Sequence, residues 1–332
     1  MFKLKNFKSI LIIRPDRIGD LTLSLAVPAA IKAVHPDIRL EYLVSVYAAP
    51  VLKYSNHIDG FLHYTDDLGY PKPVIDLVQL LDSRKYDGAI FLKPDWRSAF
   101  AVYLAGIPVR IGTARRAYSF LFNERLNLIR KKSGMHEVDL NLRLLEPLGL
   151  KVPPGLLSPM LTVEGRPWPN RQSFNIPSKY AIVHLGSKGS AANWPLDNYI
   201  RLIDELSADI PIIVTGQLPS ALNLPKSAIN LIGQTDIDDL IHFIAGASLL
   251  ISGGTGPLHL ASALGRPLIG LFPYRPHIGP GRWGPRSRNA VTITASEQTG
   301  HRCRIKKDGS CDCMAAIEYD LVIDKARGLL NE

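Results

Sequence analysis

The residues best suited to chemistry sit in four short loops. The first is Ser252-Gly253-Gly254-Thr255-Gly256-Pro257-Leu258-His259. Glycines between a strand and a helix let backbone N–H groups approach an anion, and the helix N-terminus adds about half a positive charge. Pro257 suits the first helical turn, where its missing N–H costs nothing. Thr255 offers a hydroxyl to a phosphate oxygen or to the helix cap. The same residues would also make a tight strand-to-helix turn with no ligand. Neither Gly-x-Gly-x-x-Gly nor Gly-x4-Gly-Lys-Ser/Thr occurs, which counts against dehydrogenase and P-loop NTPase chemistry. Anion binding is the better reading.

The second loop, Arg14-Pro15-Asp16-Arg17-Ile18-Gly19-Asp20, places two carboxylates and two guanidiniums in one turn. A carboxylate here could act as a general base, and Asp20 could equally cap a helix beginning at Leu21. Residue types alone lean towards the cap. The third, Gly186–Pro195, could hold phosphate through Ser187, Lys188 and backbone N–H groups, or be an ordinary flexible loop. The fourth, Gly279–Arg288, is rigid and basic. Arg266 to Lys307 carries nine Lys/Arg against one acid, and Arg110 to Lys132 seven against one. Such runs are often merely solvated faces, but they also suit anionic substrates. Cys303, Cys311 and Cys313, with His301 nearby, have a spacing that fits no zinc knuckle. A bridge from Cys303 to Cys311 or Cys313, or plain thiols, fits better.

These loops need elements to position them. Ser9–Arg14, Arg39–Ser45, Gly88–Lys93 and Val109–Thr113 read as buried strands, alternating with helical patterns over Leu21–Val34, Pro73–Leu81 and Trp96–Ala105. Prolines 153, 154, 159, 167, 169 and 177 then break every period, as in a linker. The alternation restarts with strands at Tyr180–Gly186, Pro211–Gly216, Ser248–Ser252 and Pro267–Phe272. Helices are expected at Leu196–Leu206, Asp236–Ala245 and Pro257–Leu264. The pattern predicts an α/β protein of two doubly wound parallel-sheet domains facing a central cleft, with ligands beyond the carboxyl ends of the strands. Four segments mark those ends, "RPDRIGD", "HLGSKGS", "VTGQ" and "SGGTGP", and three of them lie in the second half, which marks it as the nucleotide-binding one.

Composition sets the outer bounds. At 332 residues, 46% hydrophobic and 21% charged, the chain can bury two full cores. The net charge of +9 points to anionic partners, and nothing resembling a nucleic-acid-binding motif accompanies it. No signal peptide, spanning segment or amphipathic anchor helix stands out. The expectation is a cytoplasmic protein, with the basic surplus admitting peripheral attachment to the inner face of the cytoplasmic membrane.

Taken together, "RPDRIGDLTLSLAVPAAIKAVHP", "GSKGSAANWPLDNYIRLIDEL", "SGGTGPLHLASALGRPLIGLFPYRPHIGPGRWGP" and the "CDCM" element resemble glycosyltransferase family 9, the heptosyltransferases. The resemblance implies a GT-B fold of two Rossmann-like domains: an acceptor-binding domain over 1–165, a nucleotide-sugar-binding domain over 166–320, and a C-terminal helix over 321–332 that packs back on the first. It implies inverting, metal-independent transfer of a heptose or related sugar from an ADP-linked donor, without a cofactor. The acceptor would be the core of lipopolysaccharide or another anionic envelope glycolipid.

Carried over by motif, Asp20 matches the family's general base, and the resemblance tips it from cap to catalyst. Gly254, Thr255, Gly256 and His259 fall in the diphosphate turn, Ser187 and Lys188 in the other phosphate loop, and Gln217 and Ile237 where ribose and adenine are contacted. Arg17, Arg115 and Arg116 are expected at the acceptor. Two positions depart from the family pattern. Ala192-Asn193 stands where a lysine or Lys-Arg pair usually precedes "WP", and Gly254 where an aspartate usually precedes "TG". A divergent or non-catalytic nucleotide-sugar-binding protein of the same fold is the alternative.

Overall fold

The computed structural model describes residues 3–130, 133–152, 160–187, 189, 191–217, 222–275, 277–295 and 311–331. Twelve strands are described: β1 (Ser9–Ile13), β2 (Arg39–Val44), β3 (Gly60–His63), β4 (Gly88–Phe91), β5 (Val109–Thr113), β6 (Glu124–Leu126), β7 (Ala181–Leu185), β8 (Ile212–Gly216), β9 (Ile229–Asn230), β10 (Leu249–Gly253), β11 (Leu268–Phe272) and β12 (Ala290–Thr294). The α-helices among the same residues are α1 (Ile18–Ser24), α2 (Ala26–Val34), α3 (Val74–Asp82), α4 (Trp96–Leu104), α5 (Glu137–Leu142), α6 (Leu196–Leu206), α7 (Ile237–Gly246), α8 (Gly256–Ala263), α9 (Pro280–Trp283), α10 (Asp312–Ala315) and α11 (Tyr319–Asn331).

The strands form two six-stranded sheets, ordered β3-β2-β1-β4-β5-β6 and β12-β11-β10-β7-β8-β9. Every strand pairing within them is parallel. The central strands SILII, IIVTG, LLISG and LIGLF are buried at every position. Continuous apolar runs are what a sheet covered on both faces requires. The covering helices show the complementary pattern: α6 turns Tyr199, Leu202, Ile203 and Leu206 inward at helical spacing.

The chain divides into compact units at 1–156 and 157–332, about ten residues before the boundary expected from sequence. The proline-rich stretch explains the difference, because its later part is laid down on the second unit. Met160 donates its N–H to the Ala263 carbonyl at 2.7 Å. Trp168 stacks on His242 at 4.9 Å and donates from its indole to Asp239 at 2.9 Å.

Helix α11 buries Tyr319, Val322, Ile323 and Ala326 in the core of the second unit. Arg327 meets Glu205 at 3.2 Å and Asp209 at 2.9 Å there. Cys311 and Cys313 are buried in the same core. Cys303 and His301, and with them the bridge and zinc readings, lie outside the described residues.

Candidate active site

In a doubly wound sheet the crevice opens where the chain reverses its direction of strand addition. In the first unit that point lies between β1 and β4, and in the second between β7 and β10. The loops carrying Asp20, Ser187 and Thr255 follow β1, β7 and β10, whereas Gly279–Arg288 follows β11.

In the first unit, Arg14 leaves the end of β1 and turns inward, with 2% of its side chain exposed. Its Nε meets Asp16 at 2.8 Å, its Nη2 donates to Asp20 Oδ1 at 2.5 Å, and its Nη1 lies 3.5 Å from Glu137. Nη1 also donates to the carbonyl of Leu92, just past β4, at 3.3 Å. Arg130 pairs with Glu137 from the other side, and Lys93 approaches Asp16 at 3.9 Å. Three cations therefore balance three carboxylates, as buried charge demands. Burial alone would lower the Arg14 pKa, but the surrounding carboxylates raise it above its ordinary value, so it stays charged. Asp16 is held above the usual carboxylate range because burial outweighs its attraction to Arg14.

Asp20 does not cap a helix starting at Leu21. The helix starts three residues earlier, at Ile18, because Arg17 takes the extended N-cap conformation and its carbonyl accepts from the Leu21 N–H at 2.9 Å. Asp20 thus sits in the first turn of α1, which favours a carboxylate. Its Oδ1 is bound by Arg14, and no further hydrogen bond to its carboxylate is made among the described residues. With 23% of its side chain exposed, Asp20 remains open to solvent.

Arg17 is exposed at the N-cap of α1. Arg115 and Arg116 are exposed just beyond β5, on the same carboxyl edge and about 10 Å of strand spacing from β1. Arg115 reaches Asn127 at 3.1 Å, and the Arg116 N–H donates to the Ser119 hydroxyl at 2.9 Å. Glu137, Arg130 and Asn141 complete the cluster around Arg14 without any signal near Asp20 in sequence; they arrive more than a hundred residues later.

In the second unit, Thr255 is the N-cap of α8, yet its hydroxyl pairs with Ser252 Oγ at 3.0 Å rather than with the helix. The backbone N–H groups of the first turn, Gly256 among them, have no acceptor within the helix, which is the arrangement that receives an anion. The Ala192 carbonyl packs by Gly253, so the loop after β7 lies against the β10 turn. Ser187 in that loop donates to the Ala191 carbonyl at 2.8 Å. Lys188 lies outside the described residues.

Gln217 is exposed at the end of β8, and Ile237 is half-buried as the first residue of α7. A Cβ on Gly216 would fall 2.3 Å from the Leu185 carbonyl oxygen, and its φ of +149° also calls for glycine. His259 is buried within α8. Thr255, Ser187, Gln217 and Ile237 thus follow one another along a single carboxyl edge, over about 14 Å of strand spacing.

The sequence reading passed over His184, which lies opposite Ser252 in the β7–β10 register. Its Nδ1 is 2.9 Å from the Thr215 hydroxyl, and burial pushes its pKa down to about 4, leaving a neutral imidazole.

Both departures from the family pattern have a packing explanation. A Cβ on Gly254 would lie 2.5 Å from Phe272 Cε1, so the ring occupies the space an aspartate would need. Ala192 is buried, which suits a methyl group better than a lysine.

The model of glycosyltransferase family 9 (heptosyltransferase) matches residues 74–311. A Haemophilus influenzae protein assigned as a glycosyltransferase is 29% identical over 302 residues, covering 84% of this chain and 86% of its own. The lipopolysaccharide heptosyltransferase 2 of Escherichia coli is 25% identical, with 86% and 87% covered. The solved structure of E. coli ADP-heptose lipopolysaccharide heptosyltransferase II shares the fold, with a TM-score of 0.73 at 21% identity over 97% of this chain and 98% of that one. Two Rossmann-like units of this type, a carboxylate at one switch point, an anion-receiving turn at the other and a family match over most of the chain agree. The chain belongs to glycosyltransferase family 9, the heptosyltransferases, and is a glycosyl-transferring enzyme of the GT-B fold.

Proposed function

We propose that the enzyme moves a heptose, or a closely related sugar, from an ADP-linked donor to the core of lipopolysaccharide or another anionic envelope glycolipid, with inversion at the anomeric carbon. The observation that carries this reading is the Asp20 carboxylate: one oxygen is fixed by a buried arginine and the group stays open to solvent at a switch point. Asp20 accepts the proton of the acceptor hydroxyl as its oxygen forms the new bond to the anomeric carbon. A positioned base of this kind contributes about 10²–10⁴-fold.

As the glycosidic bond to the donor phosphate breaks, negative charge grows on the departing diphosphate. The N–H groups at Gly256 and the N-terminus of α8 are oriented to receive it. The order Thr255, Ser187, Gln217, Ile237 along the edge suits a nucleoside diphosphate lying from phosphate to base. Lys188 is assigned to the phosphates with Ser187, and His259 to the helix that presents the turn. Arg17, Arg115 and Arg116 take the acceptor's anionic groups. Charge is handled by these residues alone, and no cofactor is proposed.

Because the acceptor is a membrane-anchored glycolipid, the protein works peripherally at the inner face of the cytoplasmic membrane. No described helix is long and apolar enough to cross a membrane. The space filled by Phe272 makes the donor sugar the part of the family pattern most open to change.

The test incubates the purified enzyme with ADP-, UDP- and GDP-linked sugars and a panel of core acceptors. Product from ADP-heptose with inverted anomeric configuration is expected. Product from a UDP- or GDP-sugar only, or retained configuration, would overturn the reading.

A further inference from the structure

Helix α4 is built inside out. Its small residues Ser98, Ala99, Ala101 and Val102 are buried, whereas Trp96, Phe100, Tyr103 and Leu104 are 50, 41, 49 and 51% exposed. At 3.6 residues per turn these four large side chains share an arc of about 100°. A surface helix ordinarily presents the opposite arrangement. The 3-10 turn Ala117–Leu121 packs beside α4 and adds Phe120, 74% exposed. Tyr118 ties that turn to the start of α4 through a 3.0 Å hydrogen bond to the Pro94 carbonyl. Single exposed apolar side chains need no explanation, but four on one helix face with a fifth on the adjoining turn do.

The patch is also cationic. Residues 93–125 hold six Lys/Arg against two acids, Asp95 and Glu124. Arg97 lies over the Trp96 ring at 4.8 Å and Arg110 over Tyr103 at 5.3 Å. Asp95 is occupied as the N-cap of α4, accepting from the N–H groups of Arg97 and Ser98 and from the Tyr64 hydroxyl. Aromatic rings carrying guanidiniums match a surface that is negative outside and apolar just beneath. A second copy fits less well, since a two-fold contact through this face would oppose like charges. The patch adjoins the catalytic loop of its own unit: α4 follows the β4 end, where Leu92 and Lys93 meet Arg14 and Asp16.

We propose that the face formed by α4 and residues 117–121 docks on an anionic phospholipid bilayer, with Trp96, Phe100, Tyr103, Leu104 and Phe120 in the headgroup layer. The purpose of this contact rests on the proposed glycolipid acceptor, but binding to bare vesicles does not require that acceptor.

The experiment is co-sedimentation of the full-length enzyme with vesicles of phosphatidylcholine alone or mixed with phosphatidylglycerol. The wild type is expected to partition about tenfold more onto the anionic vesicles, and Phe100→Ser/Tyr103→Ser/Leu104→Ser to lose about tenfold of that binding. Vesicles should shift the tryptophan emission of the wild type to the blue, and Trp96→Phe should remove most of the shift while still binding. The triple variant should keep its transfer rate on a soluble, deacylated acceptor, so failure of the proposed chemistry would show separately. Absence of wild-type binding to anionic vesicles, or equal binding by the triple variant, would overturn the proposal. So would a wild-type dimer that the triple variant turns into a monomer with no change in vesicle binding.

Discussion

Arg14 Nη2 holds Asp20 Oδ1 at 2.5 Å from inside the first unit, and the same guanidinium neutralises Asp16 and approaches Glu137. The orientation of the proposed base and the neutrality of a buried charge cluster are therefore one structural problem, solved by one side chain. Replacing Asp20 should cost mainly the proposed chemistry, whereas replacing Arg14 should cost folding as well.

Asp20→Asn keeps the size of the side chain and removes the proton acceptor. Transfer should fall by about 10²–10⁴ while ADP binding is unchanged, because the proposed nucleotide site lies in the second unit. Product formation and ADP titration on the same preparation check both halves. Near-normal turnover would remove Asp20 from the role of base.

Arg14→Met leaves Asp16 and Glu137 as poorly compensated charges in a buried setting. Urea unfolding of the first unit should show a loss of about 3 kcal/mol or more. The Asp20→Asn variant should lose much less. Equal losses would mean that Arg14 is not the keystone of the cluster.

His184 supplies a pH test. Its folded pKa of about 4 lies below the ordinary 6.5, so protons bind preferentially to the unfolded chain between those values. Its contribution is complete above about pH 6.5 and is lost as pH falls towards 4. For a half-buried ring this amounts to about 2 kcal/mol. Urea titrations of wild type and His184→Gln at neutral and acidic pH should converge as pH drops; parallel curves would contradict the assignment.

Gly254→Asp restores the residue usual in the family, yet its Cβ meets the Phe272 ring. It should destabilise the second unit by about 1–3 kcal/mol, and adding Phe272→Leu should recover part of the loss. Thermal unfolding of the single and double variants reads this directly. A fully stable single variant would show that the ring yields easily.

The central strands of both sheets were legible in sequence, and the edges were not. β3, β6, β9 and β12 all escaped the reading, and all four are sheet edges. An edge strand is covered on fewer sides, so Gly60–His63 and Ala290–Thr294 lack the unbroken apolar run that gives away β1 or β10. The loops that carry Asp20 and Thr255–Gly256 were legible at the ends of β1 and β10 because each is a short contiguous stretch. Glu137 and Arg130 were not, because only the return of the chain after β6, with α5 packed on α1 and α2, brings them to the Arg14 cluster. The exposed face of α4 was hidden for a different reason. Its sequence shows a good helical period, and period alone does not reveal that the small residues point inward.

Renumbered from its own first strand, each sheet has the same order, 3-2-1-4-5-6, with its switch point between strands 1 and 4. An enzyme assembled from two copies of one plan can inherit new substrates piecemeal. Drift in the loops of one copy leaves the ligand chemistry of the other untouched. The two departures from the resemblance, Gly254 and Ala192-Asn193, both lie in the second copy, and the Arg14–Asp20 pair lies in the first. A lineage could thus exchange the sugar it carries without relearning how to deprotonate the hydroxyl that receives it.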